Sequence, residues 1–276
     1  MGRDLFPLFP EETALASRLL GYAIDELCTA DPEDRLNRTE FTQPALFVVN
    51  ALATLKRRRD TETPPVATAG HSLGEYNALF AAGVFDLATG LQLVKERAAL
   101  MARAPEGGMA AVIGLRKADV ERTLQERGLE AIDIANLNAP TQVVISGPRN
   151  EIAAAQPVFE GAGARMYVIL KVSGAFHSRS MTPAANEFAR FLEPFSFASP
   201  RVPVIANATA QPYESDVIKL NLARQINSPV RWVESIQYLI ERHPDATFEE
   251  VGPGNVLTGL LSKIRATTAF GPSLQA

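Results

Sequence analysis

The stretch AGHSLGEYNALF, at 69–80, decides the fold because it places one serine between two glycines after a short apolar run. The run before it, PPVATAG at 64–70, predicts a buried strand. The run after it, GEYNALFAAGV at 74–84, predicts a helix. Ser72 therefore lies at a strand–turn–helix corner, and GHSLG fits the pattern G-x-S-x-G, whose glycines allow a sharp turn that exposes the serine hydroxyl.

This corner has a catalytic and a structural interpretation. The helix after Ser72 directs its free N–H groups and its positive dipole end at the serine, where they would stabilise an oxyanion. Alternatively, the turn is an ordinary one and Ser72 caps the helix, a role that serine commonly fills. The motif alone leaves both interpretations open.

Composition limits the class of protein. The chain has 276 residues, of which 46% are hydrophobic and 21% charged, as in globular proteins with one large domain or two unequal ones. The net charge of −4 argues against nucleic acid as the main partner. The single cysteine excludes an intrachain disulfide, and no apolar stretch approaches the ~20 residues of a membrane span. The N-terminal sequence lacks the pattern of a signal peptide. We therefore expect a cytoplasmic protein that binds neither nucleic acid nor membrane.

The order of predicted elements indicates an α/β fold with two subdomains. Helices alternate with short apolar strands, among them 202–207 and 246–252, which favours a mostly parallel sheet covered by helices. The segment 108–175 reads instead as β-α-β-β-α-β, the order of a ferredoxin-like unit. We expect a large subdomain from 1–107 and 177–276 and a small ferredoxin-like subdomain at 108–176. The sequence has no cluster of metal ligands, so no metal site is predicted.

A serine nucleophile needs a base, and the sequence has three histidines. The turn directs His71 away from the Ser72 hydroxyl. His243 lies in a polar loop, although Glu214 or Asp216 before it would give the Ser–acid–His order of an esterase. His177 ends an apolar strand, which we predict over 165–176, and opens a helix. We favour His177, with a carbonyl as its orienting partner because no acid stands out between it and Ser72.

Seven motifs in a fixed order carry a family resemblance: TQPALFVVN, GHSLGEYNALFAAG, LVKERAALM, ANLNAPTQVVISG, GAFHS, QINSPVRW and EVGPGNVLTGL. Over nearly the whole chain, the sequence resembles malonyl-CoA:acyl carrier protein transacylases, in particular the free-standing acyltransferases that serve polyketide synthases in trans. The resemblance implies an α/β-hydrolase-like core with a ferredoxin-like insert. It also implies transfer of malonyl from malonyl-CoA to the phosphopantetheine thiol of an acyl carrier protein, without a cofactor of the enzyme's own.

The resemblance also implies roles for particular residues. Ser72 takes the acyl group, His177 is the base, and the main-chain carbonyl of Gln225 orients His177. Arg97 binds the malonyl carboxylate, which its planar fork can hold by two hydrogen bonds. Without the resemblance, a surface salt bridge with Glu96 is the ordinary interpretation of Arg97.

Two further positions resemble the malonyl-selective branch of the family. Leu73 follows the serine, where methylmalonyl enzymes usually carry glutamine, and Phe176 precedes the histidine, where they usually carry serine. One methyl group usually gives only ~1–3 kcal/mol of discrimination, so we expect imperfect selectivity. Gln43, Met101 and Asn138 match other residues that line the family's active-site cleft, with an ordinary core or loop role as the alternative for each. We assign these three and His71 to the substrate-binding set.

The beginning of the chain departs from the family pattern. Family members start with a strand and a PGQGSQ-like loop, whose glutamine gives one oxyanion-hole N–H, while the residue after the serine, here Leu73, gives the other. This sequence begins at Met1, just past the corresponding loop. Loss of one such donor costs on the order of 10²–10³ in rate. The alternatives are a truncated sequence, an impaired chain, or another segment in place of the loop.

Three classes of function stay open at this point. The favoured one is the transacylase, the second a hydrolase of carrier-protein thioesters, and the third a non-catalytic carrier-protein binder. Arg97 argues against the second and the intact Ser72 and His177 against the third. The fatty-acid and polyketide pathways both stay open. Because the chain is itself slightly acidic, we expect an acidic carrier to dock on a local basic patch, with candidates Lys171, Arg179 and 56–59.

Overall fold

A parallel pair of strands lies directly before the Ser72 turn. The computed structural model describes residues 1–61 and 63–268, and in it β1 is Thr68–Ala69 and β6 is Val204–Ile205, with elements numbered in chain order. Thr68 pairs with Val204 and Ala69 with Ile205. Both strands are shorter than the predicted ones at 64–70 and 202–207. The first run begins with Pro64 and Pro65 and the second has Pro203 as its second residue, and proline has no N–H to give to a ladder.

The chain forms two units, and the first contains this pair. It consists of Met1–Ala104, Pro183–Ile226 and Val251–Gly254. Its helices, of which α9 and α10 each extend one residue beyond the unit, are α1 (Pro10–Leu20), α2 (Ile24–Thr29), α3 (Thr39–Asp60), α4 (Gly74–Ala81), α5 (Leu87–Ala102), α9 (Thr182–Leu192) and α10 (Ile218–Asn227). Short 3₁₀ turns occur at Phe6–Leu8, Arg35–Asn37 and Ser215–Val217.

Helix α5 carries the predicted substrate residue Arg97 into the interior of the first unit. Asp86 caps this helix, because its Oδ1 accepts the N–H of Thr89 at 2.8 Å. Leu91 and Val94 are fully buried, and Arg97 follows Val94 by three residues, on the same side of the helix. The apolar stripe of α5 therefore fixes where the guanidinium enters the core.

The second unit contains an antiparallel sheet. It consists of Pro105–Thr182, Asn227–Glu250 and the described residues from Asn255 on. Its strands are β2 (Gly108–Ile113), β3 (Asp133–Ala139), β4 (Gln142–Gly147) and β5 (Met166–Ile169), and its helices are α6 (Lys117–Glu126), α7 (Arg149–Ala154), α8 (Gln156–Gly161), α11 (Trp232–Arg242) and α12 (Val256–Thr268). From β2 to β5 the order is the predicted β-α-β-β-α-β, with the second helix divided at Ala155, before Pro157.

The sheet order is β3-β4-β2-β5, with every neighbouring pair antiparallel. One face buries a cluster that includes Val112, Ile145 and Phe159, and a second buried cluster contains Met109 and Val144. β5 is an edge strand. The parallel pair and this separate antiparallel sheet confirm the predicted mixed α/β class.

Two predicted strands differ from the structure. The strand predicted over 165–176 is regular only at Met166–Ile169, where it pairs with β2, and Gly174 forms an isolated bridge with Glu106. The segment 246–252 is not a strand. Its Glu250 carboxylate instead accepts the N–H groups of Leu257 and Thr258, at the start of α12.

The predicted subdomain boundaries at 107/108 and 176/177 stay a prediction, and residues 269–276 of the predicted large subdomain lie outside the described residues. Among the helices that the structure describes, none combines the length and the apolar character needed to cross a membrane.

Candidate active site around Ser72

Ser72 occupies a strained turn between β1 and α4. Its φ is +50°, in the left-handed region that residues with a side chain rarely adopt. The turn is tight because Gly70 has no side chain: a Cβ there would lie 1.9 Å from the carbonyl oxygen of Gly74. The structure thus has the sharp corner that the G-x-S-x-G pattern predicts.

The side-chain amide of Asn207, just beyond β6, holds both ends of this turn. Its Oδ1 accepts the N–H of Ser72 at 2.7 Å, and its Nδ2 donates to the carbonyl of Gly70 at 2.7 Å. Asn207 is buried. The backbone N–H groups of Gly74 and Glu75 donate to the carbonyls of His71 and Ser72. The strained conformation of Ser72 is therefore fixed from a neighbouring strand and from the turn itself.

Arg97 brings a buried positive charge to the serine. The residue is 1% exposed, and its Nη2 donates to Ser72 Oγ at 3.1 Å. Nε and Nη2 donate to Gln225 Oε1 at 3.2 and 2.9 Å, and Nη1 donates to Gln43 Oε1. Burial lowers the pKa of Arg97, an effect opposed by Tyr76 and Glu75. The surface salt bridge considered for Arg97 is absent from this geometry, since Glu96 pairs with Arg103 instead.

Gln43 and Met101, both assigned to substrate binding from the sequence, lie in the same cluster. Gln43 belongs to α3 and Met101 to α5, and both are buried. Gln43 Nε2 donates to Thr39 Oγ1 at 3.1 Å and contacts Met101 Sδ at 3.6 Å. Gln43 thus links Arg97 to the side chains next to it.

Gln225, on α10, connects the serine backbone to Arg97. It is fully buried, and its Nε2 donates to the carbonyl of Ser72 at 2.7 Å and to Glu75 Oε2 at 2.6 Å. Its Oε1 accepts from Arg97. Both donors and the acceptor of the amide are therefore in use.

Glu75 is a fully buried carboxyl behind the serine. Its Oε1 accepts from Tyr213 Oη at 2.5 Å and from the N–H of Asn207 at 3.3 Å. Burial raises the pKa of Glu75 to about 7, against hydrogen bonds from Tyr213, Gln225 and Asn207 and the charge of Arg97, which lower it. Burial, together with the neighbouring Glu75, raises the pKa of Tyr213 well above its ordinary value.

Sequence reasoning did not single out Glu75, Asn207 or Tyr213. A signal for Glu75 was present: GEYNALFA is a mostly apolar helix, in which Glu75 is the only charged residue and nearly every side chain is buried, and a buried acid needs partners. Asn207 and Tyr213 gave no comparable signal, since polar residues after a short strand are common in turns.

Two predicted residues flank Ser72. Leu73 is buried and is the N-cap residue of α4, and its N–H belongs to the peptide group that joins it to Ser72. His71 is half-buried in the turn. The first unit thus brings together around Ser72 five predicted side chains: His71, Leu73, Arg97, Gln225 and Gln43, with Met101 next to Gln43.

The remaining predicted residues belong to the second unit. His177 is 4% exposed, has a φ of +57°, and lies in a turn before a 3₁₀ helix at Arg179–Met181. Ser178 Oγ donates to the carbonyl of Ala175 at 2.6 Å and so closes this turn. His177 also lines an open cavity of about 550 Å³, together with Leu124 and Ile134.

Phe176 is half-buried against the cluster of Met109 and Val144, and Asn138 is half-buried on β3. His243, the other candidate base, is half-buried at the C-terminal end of α11 in the second unit. Glu214 and Asp216 of the esterase-like alternative are exposed residues of the first unit.

Comparisons with known proteins identify the family of the chain. The acyl transferase domain family matches residues 11–266. The chain therefore belongs to the acyl transferase domain family. Its relatives include a polyketide biosynthesis malonyl CoA-acyl carrier protein transacylase, BaeC of Bacillus velezensis, which is 52% identical over 99% of this chain and 95% of BaeC.

A second relative is the polyketide biosynthesis protein ThaF of Burkholderia thailandensis, 54% identical over 96% of this chain. The chain spans only 23% of the length of ThaF. Among solved structures, a malonyl CoA-acyl carrier protein transacylase of Burkholderia pseudomallei superposes with a TM-score of 0.92 and 50% identity, over 96% of this chain and 93% of that one.

Proposed function

We propose that this chain is a malonyl-CoA:acyl carrier protein transacylase that acts in trans for a polyketide synthase. The observation that carries the proposal is the hydrogen bond from the buried guanidinium of Arg97 to Ser72 Oγ, at 3.1 Å. A fixed positive charge beside a nucleophilic oxygen suits an acyl group that itself ends in a carboxylate. The names of the relatives agree with this substrate, with an acyl carrier protein as partner and with polyketide biosynthesis.

The reaction proceeds in two transfers. Ser72 Oγ attacks the thioester carbon of malonyl-CoA, the C–S bond breaks, and the coenzyme A thiol leaves with the proton that the serine gave up. The phosphopantetheine thiol of the carrier then attacks the serine ester, the C–O bond breaks, and Ser72 recovers its proton. The chain needs no cofactor of its own, since the phosphopantetheine arm belongs to the carrier.

We assign the base to His177 and the oxyanion donor to the N–H of Leu73. The assignment of His177, and of the Gln225 carbonyl as its orienting partner, rests on the family resemblance. For Leu73, the support is its place at the start of α4, where backbone N–H groups and the helix dipole favour negative charge.

The proposed site for the malonyl carboxylate is the end of the Arg97 guanidinium that Nη1 and Nη2 form. Gln225 Oε1 occupies the side edge formed by Nε and Nη2, whereas Nη1 and Nη2 face Gln43 and the serine. A carboxylate on Nη1 and Nη2 lies next to Ser72 Oγ and takes over the contacts of Gln43. Met101, Phe176, His71 and Asn138 complete the proposed substrate set.

The finer description of the fold is part of the proposal. Residues 1–107 and 177–276 are the proposed α/β-hydrolase-like core, and residues 108–176, which contain β2–β5, are the proposed ferredoxin-like subdomain. The second unit is larger than this subdomain, since it also includes Asn227–Glu250 and the described residues from Asn255 on. The sheet order β3-β4-β2-β5 and the β-α-β-β-α-β chain order support the second of these names. We place the protein in the cytoplasm, which the single buried cysteine supports.

An intact-mass assay with malonyl-CoA and a phosphopantetheinylated carrier protein tests the function. We expect the enzyme to gain one malonyl group and then to pass it to the carrier. Free malonate without carrier loading would indicate a thioester hydrolase, and no reaction with either substrate would indicate a carrier-binding protein. Ser72→Ala, the matched control, should give no acyl-enzyme.

A further inference from the structure

We infer that Glu75 is a positioning residue that sets the selectivity of the site for acyl groups ending in a carboxylate, because it fixes the amide orientation of Gln225 and thereby the edge of Arg97 that faces Ser72. The inference rests on the proposed function and deepens it. Glu75 itself does not contact the reacting atoms.

The contacts of Glu75 define it as an acceptor. Tyr213 Oη, the N–H of Asn207 and Gln225 Nε2 all donate to its two oxygens. An ionised carboxyl has only acceptor sites, so this set of partners suits the carboxylate form, which Glu75 adopts above its raised pKa of about 7. A buried carboxylate is costly unless it is hydrogen-bonded and balanced by charge, and the positive charge of Arg97 favours the ionised form of Glu75.

Gln225 lies between these two charges and has only one satisfactory orientation. Glu75 Oε2 and the Ser72 carbonyl, which are both acceptors, take the two hydrogens of Nε2. Arg97 offers only donors to the opposite side of the amide. An amide turned by 180° would place its NH₂ against the guanidinium and its oxygen against two other oxygens. Glu75 therefore excludes the turned amide together with the Ser72 carbonyl and Arg97, and it is the only one of the three that is a charged acceptor.

This orientation decides what Arg97 can bind. Gln225 Oε1 is shared between Nε and Nη2 and so occupies the side edge of the guanidinium with a neutral acceptor. Within the described residues, the salt bridges do not include Arg97, although the residue is buried. The positive charge of Arg97 is thus balanced by Glu75 through the Gln225 amide. Its Nη1 and Nη2 groups stay available for a substrate carboxylate beside Ser72 Oγ.

The test is the ratio of kcat/KM for malonyl-CoA to that for acetyl-CoA, measured as acyl-enzyme formation. In Glu75→Gln, an NH₂ group replaces one carboxylate oxygen and either opposes Gln225 Nε2 or leaves Tyr213 and Asn207 without their acceptor. We expect the ratio to fall at least ~10-fold, the effect of one frustrated buried hydrogen bond. Acetyl-CoA has no carboxylate, so its loading should change less than ~3-fold.

A matched control and a double-mutant cycle distinguish a positioning role of Glu75 from a purely structural one. Tyr213→Phe deletes a hydrogen bond to the same carboxylate without touching Gln225, so it should lower the melting temperature and leave the ratio nearly unchanged. In a Gln225→Leu background, adding Glu75→Gln should leave the ratio within ~2-fold, because the residue through which Glu75 acts is gone. If Glu75→Gln does not fold, Gln225→Leu alone should lower the ratio.

Several results would overturn the inference. Equal losses on both substrates in Glu75→Gln would make Glu75 purely structural, as would a Tyr213→Phe ratio as low as that of Glu75→Gln. An unchanged ratio in Gln225→Leu would break the link to Arg97. If the wild-type protein loads no malonyl group, the proposed function fails and the inference with it. If the wild type loads malonyl while Glu75→Gln keeps the wild-type ratio, only the assignment of Glu75 fails.

Discussion

Arg179 holds Asp133 through both its guanidinium and its backbone. Arg179 Nε lies 2.9 Å from Asp133 Oδ1, Nη2 lies 2.5 Å from the same oxygen, and the backbone N–H of Arg179 donates to Oδ2 at 2.9 Å. Asp133 belongs to β3, and Arg179 follows the left-handed His177 by two residues. One carboxylate at the start of β3 thus fixes the backbone that leaves the His177 turn.

We therefore expect Asp133→Ala to slow acyl-enzyme formation by about 5–10-fold, because the turn that positions His177 loses a charge-assisted backbone contact. Arg179→Ala should have a smaller effect, since it removes the ion pair and keeps the backbone N–H bond. Stopped-flow acylation with malonyl-CoA measures both. Asp119→Ala, which breaks the exposed pair with Arg122 on α6, is the control, and an equal loss there would contradict the role of Asp133.

The second prediction concerns the base. His177→Ala should slow acylation by ~10²-fold or more, the usual effect of losing a general base, while His243→Ala should stay near the wild-type rate. The measurement is single-turnover formation of the acyl-enzyme across pH. A large loss in His243→Ala with little change in His177→Ala would instead favour the esterase-like arrangement.

Replacement of Arg97 should change substrate preference. Arg97→Ala removes the positive charge and the planar guanidinium together. Malonyl-CoA loading should therefore fall by about 10²-fold, because a bidentate charge-assisted contact is lost. Acetyl-CoA loading should persist or rise. Arg103→Ala is the control, because Arg103 follows the same helix but pairs with Glu96 at the surface. Proportional losses on both substrates in Arg97→Ala would mean that Arg97 is structural.

The raised pKa of Glu75 predicts how stability depends on pH. Its pKa is about 7 in the folded protein, against an ordinary value of 4.5. The folded state therefore holds the proton more tightly, so this group favours folding fully below pH 4.5 and loses that contribution as pH rises through 7. The difference in unfolding free energy between wild type and Glu75→Gln should shift by on the order of 3 kcal/mol over this range.

Urea unfolding of both proteins between pH 4.5 and 8 tests this prediction, since surface carboxyls cancel in the difference. A difference that stays constant over the range, or that moves toward greater wild-type stability at high pH, contradicts the raised pKa.

Carrier docking is the subject of the last prediction. Arg179 is engaged by Asp133, and in the 56–59 cluster Lys56 pairs with Asp60 while Arg58 donates to the carbonyl of Ala81. We therefore expect Lys171, which is exposed, to contribute most. Lys171→Glu should lower kcat/KM for the carrier about 5-fold and flatten its salt dependence, because surface charges act mainly on association.

Loading from malonyl-CoA alone should be unaffected in Lys171→Glu. Lys219→Glu, whose Nζ contacts the carbonyl of Glu193, is the matched charge reversal. Transfer to the carrier that does not respond to salt in the wild type would rule out a basic docking patch.

The sequence predicts the local motif well and its surroundings less well. The turn at Ser72 follows from the motif because Gly70 leaves room for the close backbone of Gly74, although the hydrogen bonds of Asn207 that hold the turn come from a distant strand. Strand lengths were overestimated, because apolar runs do not reveal where a partner strand ends: β5 stops where its pairing with β2 stops. The segment 246–252 has strand composition but serves as a cap for α12.

In the candidate site, too, the sequence identifies individual residues but not the contacts between them. The family resemblance identified Arg97 and Gln225 as site residues. Neither periodicity nor spacing predicts that the side-chain amide of Gln225 connects Arg97 to the backbone of Ser72. That link depends on tertiary contacts between residues more than a hundred positions apart. Glu75 was missed for a related reason: its partners Asn207, Tyr213 and Gln225 all come from a distant part of the chain.

Gln225 has a practical consequence for attempts to redesign which extender units the protein accepts. One amide holds the serine carbonyl and the guanidinium, so a library that randomises Arg97 alone leaves Gln225 Oε1 without its donors in a buried site. Such clones would still load acetyl-CoA, but they would be less stable, because an unpaired amide oxygen is left in the core. Positions 97 and 225 should therefore be varied together, with apolar pairs of matched volume included. Variants that accept uncharged acyl groups can then be selected while the turn at Ser72 stays intact.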